Sequence, residues 1–147
     1  MKAYTGDQPF IFVSYAHSDS NIVFPIIEIL QNNGYRVWYD EGLQVGNDWR
    51  DELAERINCC HAFIFMQTKQ SLNSEYCKQE VYAADSKRNK RKSKSGGKEN
   101  SLPILTIKLE ESEATGGLQL VLAPNQKVSG INASANEIAQ EGGVASC

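Results

Sequence analysis

Apolar positions along this chain alternate between short, nearly unbroken runs and stretches in which they recur every three or four residues. "FIFVSY" at 10–15 is an apolar, β-rich run ended by small polar residues, which predicts a buried strand. Asp19 and Ser20 then supply N-cap chemistry. Ile22, Ile26, Ile29 and Leu30 follow at helical spacing, with Pro25 in the early turns where it is tolerated and Gly34 as the stop. "YRVWYD" at 35–40 predicts a second strand. A loop, "DEGLQVGND", leads to Asp48 as the cap of a helix carrying Trp49, Leu53 and Ile57 at intervals of four. "HAFIFM" at 61–66 is the third strand, and a helix is expected from Ser74 to about Ser86. "LPILTIKL" at 102–109 is the fourth strand. Beyond it the pattern weakens: "LQLVLAPNQKV" at 118–128 suggests a short element and a fifth strand near 126–128, and a small helix is expected around 133–140.

Strands that alternate with helices, and that lack the polar alternation of a sheet with one wet face, predict a parallel sheet buried on both sides. The expected fold class is therefore α/β: a flavodoxin-like, doubly wound, five-stranded sheet of order 2-1-3-4-5 with helices on both faces. Ligands of such sheets bind beyond the carboxyl ends of the strands where the order reverses, here between strands one and three. The segments after Tyr15 and Met66 should flank any pocket.

"SEYCKQEV" at 74–81 holds the candidate chemistry. By helical spacing Tyr76, Glu80 and Ala83 share one face, while Cys77, Val81 and Ala84 share another roughly 100° away. The small apolar face packs on the sheet, so Glu80 is expected at the helix edge near the switch point. The residues alone leave two roles open for it, a solvated helix charge or a group that carries chemistry.

Composition narrows the class of protein without naming an activity. One domain is expected from 147 residues, with ordinary globular shares of 41% hydrophobic and 22% charged residues. A formal charge of -3 hides an asymmetry: seven of the fifteen Lys and Arg residues lie in "KRNKRKSKSGGK" at 87–98. That run reads as a solvated loop without interleaved aromatics, and the remaining body is acidic, so no nucleic-acid partner is expected. The N-terminus lacks the apolar segment of a signal peptide, and no run approaches the roughly 18 apolar residues of a membrane span; a cytoplasmic, soluble protein is the expectation. Cysteines at 59, 60, 77 and 147 have neither zinc nor disulfide spacing and read as buried or idle thiols, with no metal site. No Walker loop, G-x-G-x-x-G or G-x-S-x-G is present, nor the acidic pair of a phosphoryl-accepting receiver.

The stretches "FIFVSYAHSD", "GYRVWYDEGLQVGNDW", "CHAFIFMQTKQSLNSEYCKQEV" and "LPILTIKLE" stand in the order and spacing of a Toll/interleukin-1 receptor (TIR) domain of the bacterial type. The resemblance covers residues 8–130; 131–147 would be a C-terminal helix and tail, the start of a linker to a further sensor or effector domain. It implies an enzyme that cleaves NAD at the bond between nicotinamide and ribose, with Glu80 as the catalytic carboxylate. NAD is then substrate, and no cofactor is required. Products would be nicotinamide with ADP-ribose or a cyclic isomer, and the setting immune signalling against phage. Ser14, Tyr15, Ala16, His17, Asp40 and Tyr76 match the substrate-binding wall. Tyr76 stands where relatives usually carry Trp, and Ala16 and His17 where many carry Arg or Lys. The mobile loop, with Gly42, Leu43, Val45, Gly46 and Trp49, would serve as lid and self-association element, so the active form would be an assembly of TIR–TIR contacts. A non-catalytic scaffold working through that loop is the alternative.

Overall fold

The computed structural model describes residues 2–42, 47–94 and 102–129. The elements run in the order β1 (Ile11–Ser14), a 3-10 turn (His17–Asp19), α1 (Ser20–Asn32), β2 (Val37–Tyr39), α2 (Asn47–Cys59), β3 (Ala62–Gln67), α3 (Lys69–Asn73), α4 (Glu75–Lys94), β4 (Ile104–Lys108), α5 (Gly116–Leu122) and β5 (Gln126–Ser129). The sheet is five-stranded, in the order β2-β1-β3-β4-β5, and every pairing is parallel. The α/β class, the strand order and the switch point between β1 and β3 are those expected.

Strand periodicity divides the core into two layers. Ile11, Val13 and Tyr15 point to the α1 side, where they pack with Val23, Ile26, Ile27, Leu30, Ile64 and Ile107. Phe10 and Phe12 point the other way, against Trp38, Phe63, Phe65, Cys77, Val81, Ala84 and Leu122. Phe12 stacks on Trp38 and on Phe63, with ring centroids 5.0 and 5.3 Å apart. By the same alternation Ser14, which follows Val13, faces the α4 layer at the carboxyl end of β1.

Helix α1 ends in a Schellman arrangement, with Tyr35 N donating to Leu30 O at 3.1 Å and Gly34 N to Gln31 O at 3.0 Å. This needs the left-handed backbone of Gly34, φ 93°, although a Cβ there would meet no neighbour within 4 Å. Gly34→Ala is therefore expected to lower stability by about 1–2 kcal/mol through backbone strain alone. The midpoint of a urea titration measures it, and a wild-type midpoint would refute it.

Four local expectations are corrected. Asp19 gives no side-chain cap to α1; its carboxylate accepts instead from the Thr68 hydroxyl, tying the end of β1 to the end of β3. Helix α2 opens at Asn47, so Asp48 lies inside its first turn. A short extra helix, α3, follows β3 on a Thr68–Ser71 capping box. Helix α4 runs on to Lys94 through most of the run expected as a loop, because Lys, Arg and Ala are strong helix formers and the first Gly comes only at 96. Two of its cations hold the fold: Arg91 Nη2 donates to the carbonyls of Asn58 and Cys60 at 2.8 and 2.9 Å, capping α2, and Arg88 joins Asp85 to Asn125. The helix expected around 133–140 and the tail at 131–147 lie outside the described residues.

Among the described residues no helix is long and apolar enough to cross a membrane, and no cluster of His, Cys, Asp or Glu could hold a metal ion. Cys60 and Cys77 are buried and Cys59 is exposed; burial pushes both buried thiols up to about 12.

Candidate active site at the carboxyl end of the sheet

Glu80 is buried, with 3% of its surface exposed, not turned to the helix edge as expected. The stripe of α4 that meets the sheet consists of Cys77, Glu80, Val81 and Ala84, at i, i+3, i+4 and i+7, so Glu80 belongs to the buried face. Space for it exists because β1 ends in a small residue: Ser14 presents its hydroxyl where Phe12, one pleat earlier, presents a ring. Ser14 Oγ donates to Glu80 Oε1 at 2.9 Å, and Ser14 is itself wholly buried.

Burial drives the Glu80 carboxyl well above the usual carboxylate range; the Ser14 hydroxyl opposes the shift and the charge of Asp40 adds to it. Burial thus favours the neutral form of the Glu80 carboxyl. Removing its side-chain partner leaves a buried carboxyl unsatisfied, so Ser14→Ala is expected to cost about 1–3 kcal/mol of stability. Thermal unfolding followed by circular dichroism reads that loss; a variant as stable as wild type would show that the pair contributes nothing.

Asp40 ends β2 and is 7% exposed. One carboxylate oxygen, Oδ1, accepts from Gly42 N at 2.9 Å, a turn closed by the left-handed Gly42 at φ 79°. The other, Oδ2, lies 2.8 Å from His17 Nε2. Its backbone carbonyl accepts from the Tyr15 hydroxyl. Burial, then the Asp40 charge, raises the Tyr15 phenol far above its ordinary value and keeps it a donor.

Tyr76 covers this group from α4. Its ring stacks on Trp49 from α2, with centroids 5.0 Å apart and planes 22° from parallel, and lies 6.2 Å from the His17 ring. Tyr15 meets His17 edge-on at 5.3 Å. The Tyr76 hydroxyl is buried and turned towards Asp40 without reaching hydrogen-bond geometry; burial, then the Glu80 charge, raises its pKa far above the ordinary value. Trp49, expected with the lid and self-association loop, stands in α2 as the ring stacked on Tyr76 beside the site.

Beside these rings opens a cleft of about 480 Å³ lined by Tyr15, Ala16, His17, Ser18, Gln70, Asn73, Ser74 and Tyr76. The structure so brings together Ser14, Tyr15, Ala16, His17, Asp40, Gly42, Trp49, Tyr76 and Glu80. Leu43, Val45 and Gly46 lie outside the described residues. Sequence reasoning missed Gln70 and Asn73, which reach the cleft from α3; the Thr-x-x-Ser spacing at 68–71 was the available signal for that helix. A second groove, of about 440 Å³ and lined by residues of α3, α4 and α5 with Lys69, Lys78 and Glu113 among them, shares no residue with this site except Asn73.

A doubly wound parallel sheet with a buried carboxyl and an aromatic stack at its switch point puts the candidate site where sheets of this class bind ligands. The chain matches the TIR domain family over residues 11–134 and belongs to it. Among solved structures it resembles the TIR domain of a Toll-related receptor from Hydra magnipapillata, at 10% identity, 92% of this chain, 95% of that chain and a TM-score of 0.65. It also resembles a CMP N-glycosidase from Clostridium botulinum, at 13% identity, 92% of this chain, 98% of that chain and a TM-score of 0.61. A third likeness is a metazoan TIR-STING receptor from C. gigas, at 17% identity, 95% of this chain, 42% of that longer chain and a TM-score of 0.59. At these identities the likenesses carry the fold. No curated protein matches the chain at a significant level.

Proposed function

We propose that this chain is a NAD glycohydrolase that breaks the bond between nicotinamide and ribose, with Glu80 as the catalytic carboxylate. The observation that carries the proposal is the placement of Glu80: a buried carboxyl, hydrogen-bonded to Ser14, at the switch point of the sheet and behind the rings that edge the cleft. Nicotinamide in NAD is a cationic pyridinium and departs neutral, so the leaving group needs no proton and a single carboxylate suffices. The developing positive charge on the ribose favours the ionised form of Glu80, and in a dry site that attraction is strong. Tyr76 offers a face for a base or nicotinamide to stack on, and Tyr15 and Asp40 offer polar groups for a ribose. A relative of this fold that acts on an N-glycosidic bond, the CMP N-glycosidase, supports the class of chemistry.

The proposal extends to a cytoplasmic protein that works as a self-associating assembly in immune signalling, as the family resemblance implies. Its rival is a scaffold without turnover. That alternative draws on one observation: among the described residues lining the cleft there is no Lys or Arg to bind a diphosphate. Concentrated purified protein incubated with NAD decides between them. Nicotinamide release, followed by chromatography, is the expected result; concentration-dependent oligomers with no release would favour the scaffold and end the enzymatic proposal.

A further inference from the structure

His17 and Asp40 form a pair whose geometry has a chemical consequence beyond wall-building. Asp40 is buried and both its oxygens are engaged, Oδ1 by the Gly42 N–H and Oδ2 by His17 Nε2. A carboxylate at 2.8 Å from Nε2 fixes the proton of a neutral imidazole on that nitrogen and leaves Nδ1 with its lone pair. The ring orientation is fixed as well, with Tyr15 edge-on at 5.3 Å and Tyr76 at 6.2 Å. About half of the His17 side chain remains exposed, at 49%, and the residue lines the 480 Å³ cleft.

The other side chains along that cleft cannot take a proton near neutrality. Ser18, Gln70, Asn73 and Ser74 are neutral amides and hydroxyls, and Ala16 has no functional group. Tyr15 and Tyr76 are held as phenols by burial and by the neighbouring carboxylates. Among the described residues of the lining, the His17 imidazole is the one side chain of a type suited to proton exchange. Glu80 lies behind Tyr76, bound to Ser14 and committed to charge stabilisation, so a second group is required to accept the proton of a nucleophile.

We propose that His17, oriented by Asp40, is the general base for the water that attacks the anomeric carbon. This rests on the N-glycosidic cleavage proposed above. In the step the bond between the anomeric carbon and nitrogen breaks and its electron pair leaves with the neutral base. The water oxygen bonds to that carbon, and one water proton passes to His17 Nδ1. Asp40 Oδ2 holds the imidazolium that results, as a carboxylate does in a His–Asp pair.

The test exploits a nucleophile that has no proton to lose. The full chain and its His17→Gln variant are incubated with NAD, first in water alone and then with an excess of a free substituted pyridine, whose ring nitrogen can replace nicotinamide. Gln keeps a donor towards Asp40, and thermal melting checks that the fold is intact. Formation of the hydrolysis product is expected to fall about 100-fold in the variant, while pyridine exchange stays within about threefold of wild type. Added imidazole is expected to restore hydrolysis to His17→Ala by about tenfold, a rescue that a merely structural histidine would not show. Equal losses of hydrolysis and exchange, or no loss of hydrolysis, would overturn the role of His17 while leaving the glycohydrolase standing. Wild-type protein that releases no nicotinamide in either medium would remove both.

Discussion

Glu80→Gln is expected to lower nicotinamide release from NAD by about 1,000-fold or more, to the limit of a chromatographic assay. The amide matches the carboxyl in shape and can still accept the Ser14 hydrogen bond, so the site keeps its packing. What disappears is the negative charge that meets the ribose as the pyridinium departs. Removing one group aimed at a developing charge costs on the order of 100- to 1,000-fold, each factor of ten corresponding to about 1.4 kcal/mol of barrier. A full charge in a buried site belongs at or above the upper end. A variant that retained wild-type turnover would eliminate Glu80 as the catalytic group and, with it, the reason for placing the chemistry at this point of the sheet.

The same substitution is expected to make the protein harder to unfold at neutral pH. Burial raises the Glu80 carboxyl well above its ordinary value in the folded state, while the unfolded chain returns it to the usual carboxylate range. Between those two values the folded state binds more protons than the unfolded one, so stability falls as pH rises. The contribution is whole below the unfolded value and is lost as pH climbs through the folded one. Gln has no proton to lose and escapes this penalty. The variant should therefore gain on the order of 1 kcal/mol or more at pH 7 and above, with a gap that narrows towards zero as pH drops to the carboxylate range. Melting temperatures of both proteins across pH 4–8 provide the check. A variant equally stable, or less stable, throughout would mean that Glu80 is paid no desolvation cost in the fold. An activity that falls where stability rises is the signature of a strained functional group.

The architecture was readable because hydrophobic runs of strand length separate helical patterns, and burial of both sheet faces leaves few parallel topologies. What escaped the reading came from local competition. Grouping Glu80 with Tyr76 and Ala83 on a face about 100° from Cys77, Val81 and Ala84 puts it at the helix edge; yet its i+3 spacing from Cys77 also places it on the inward stripe, and the small Ser14 on β1 makes room for it. No local sequence pattern reports a cross-strand vacancy of that kind. The Thr68–Asp19 link likewise joins residues 49 positions apart and drew Asp19 from the capping role that its position suggested. Helix α4 outran its expected end because charge density was taken for solvation, although Lys and Arg extend a helix readily when two of them find carbonyl and carboxylate partners on the body.

The ring pair of Trp49 and Tyr76 has one further effect. Glu80 is only 3% exposed beside the stacked pair, so under the proposed function a nucleotide reaches the carboxyl only in a molecule in which the surrounding side chains have parted. Its apparent dissociation constant is then the intrinsic one divided by the fraction of separated molecules; with about one in a hundred apart, binding weakens about 100-fold. If the proposed glycohydrolase activity holds, turnover at a given NAD concentration would be throttled by an equilibrium that precedes chemistry, and a neighbouring subunit that favoured the parted arrangement would raise it without altering any bond-breaking step.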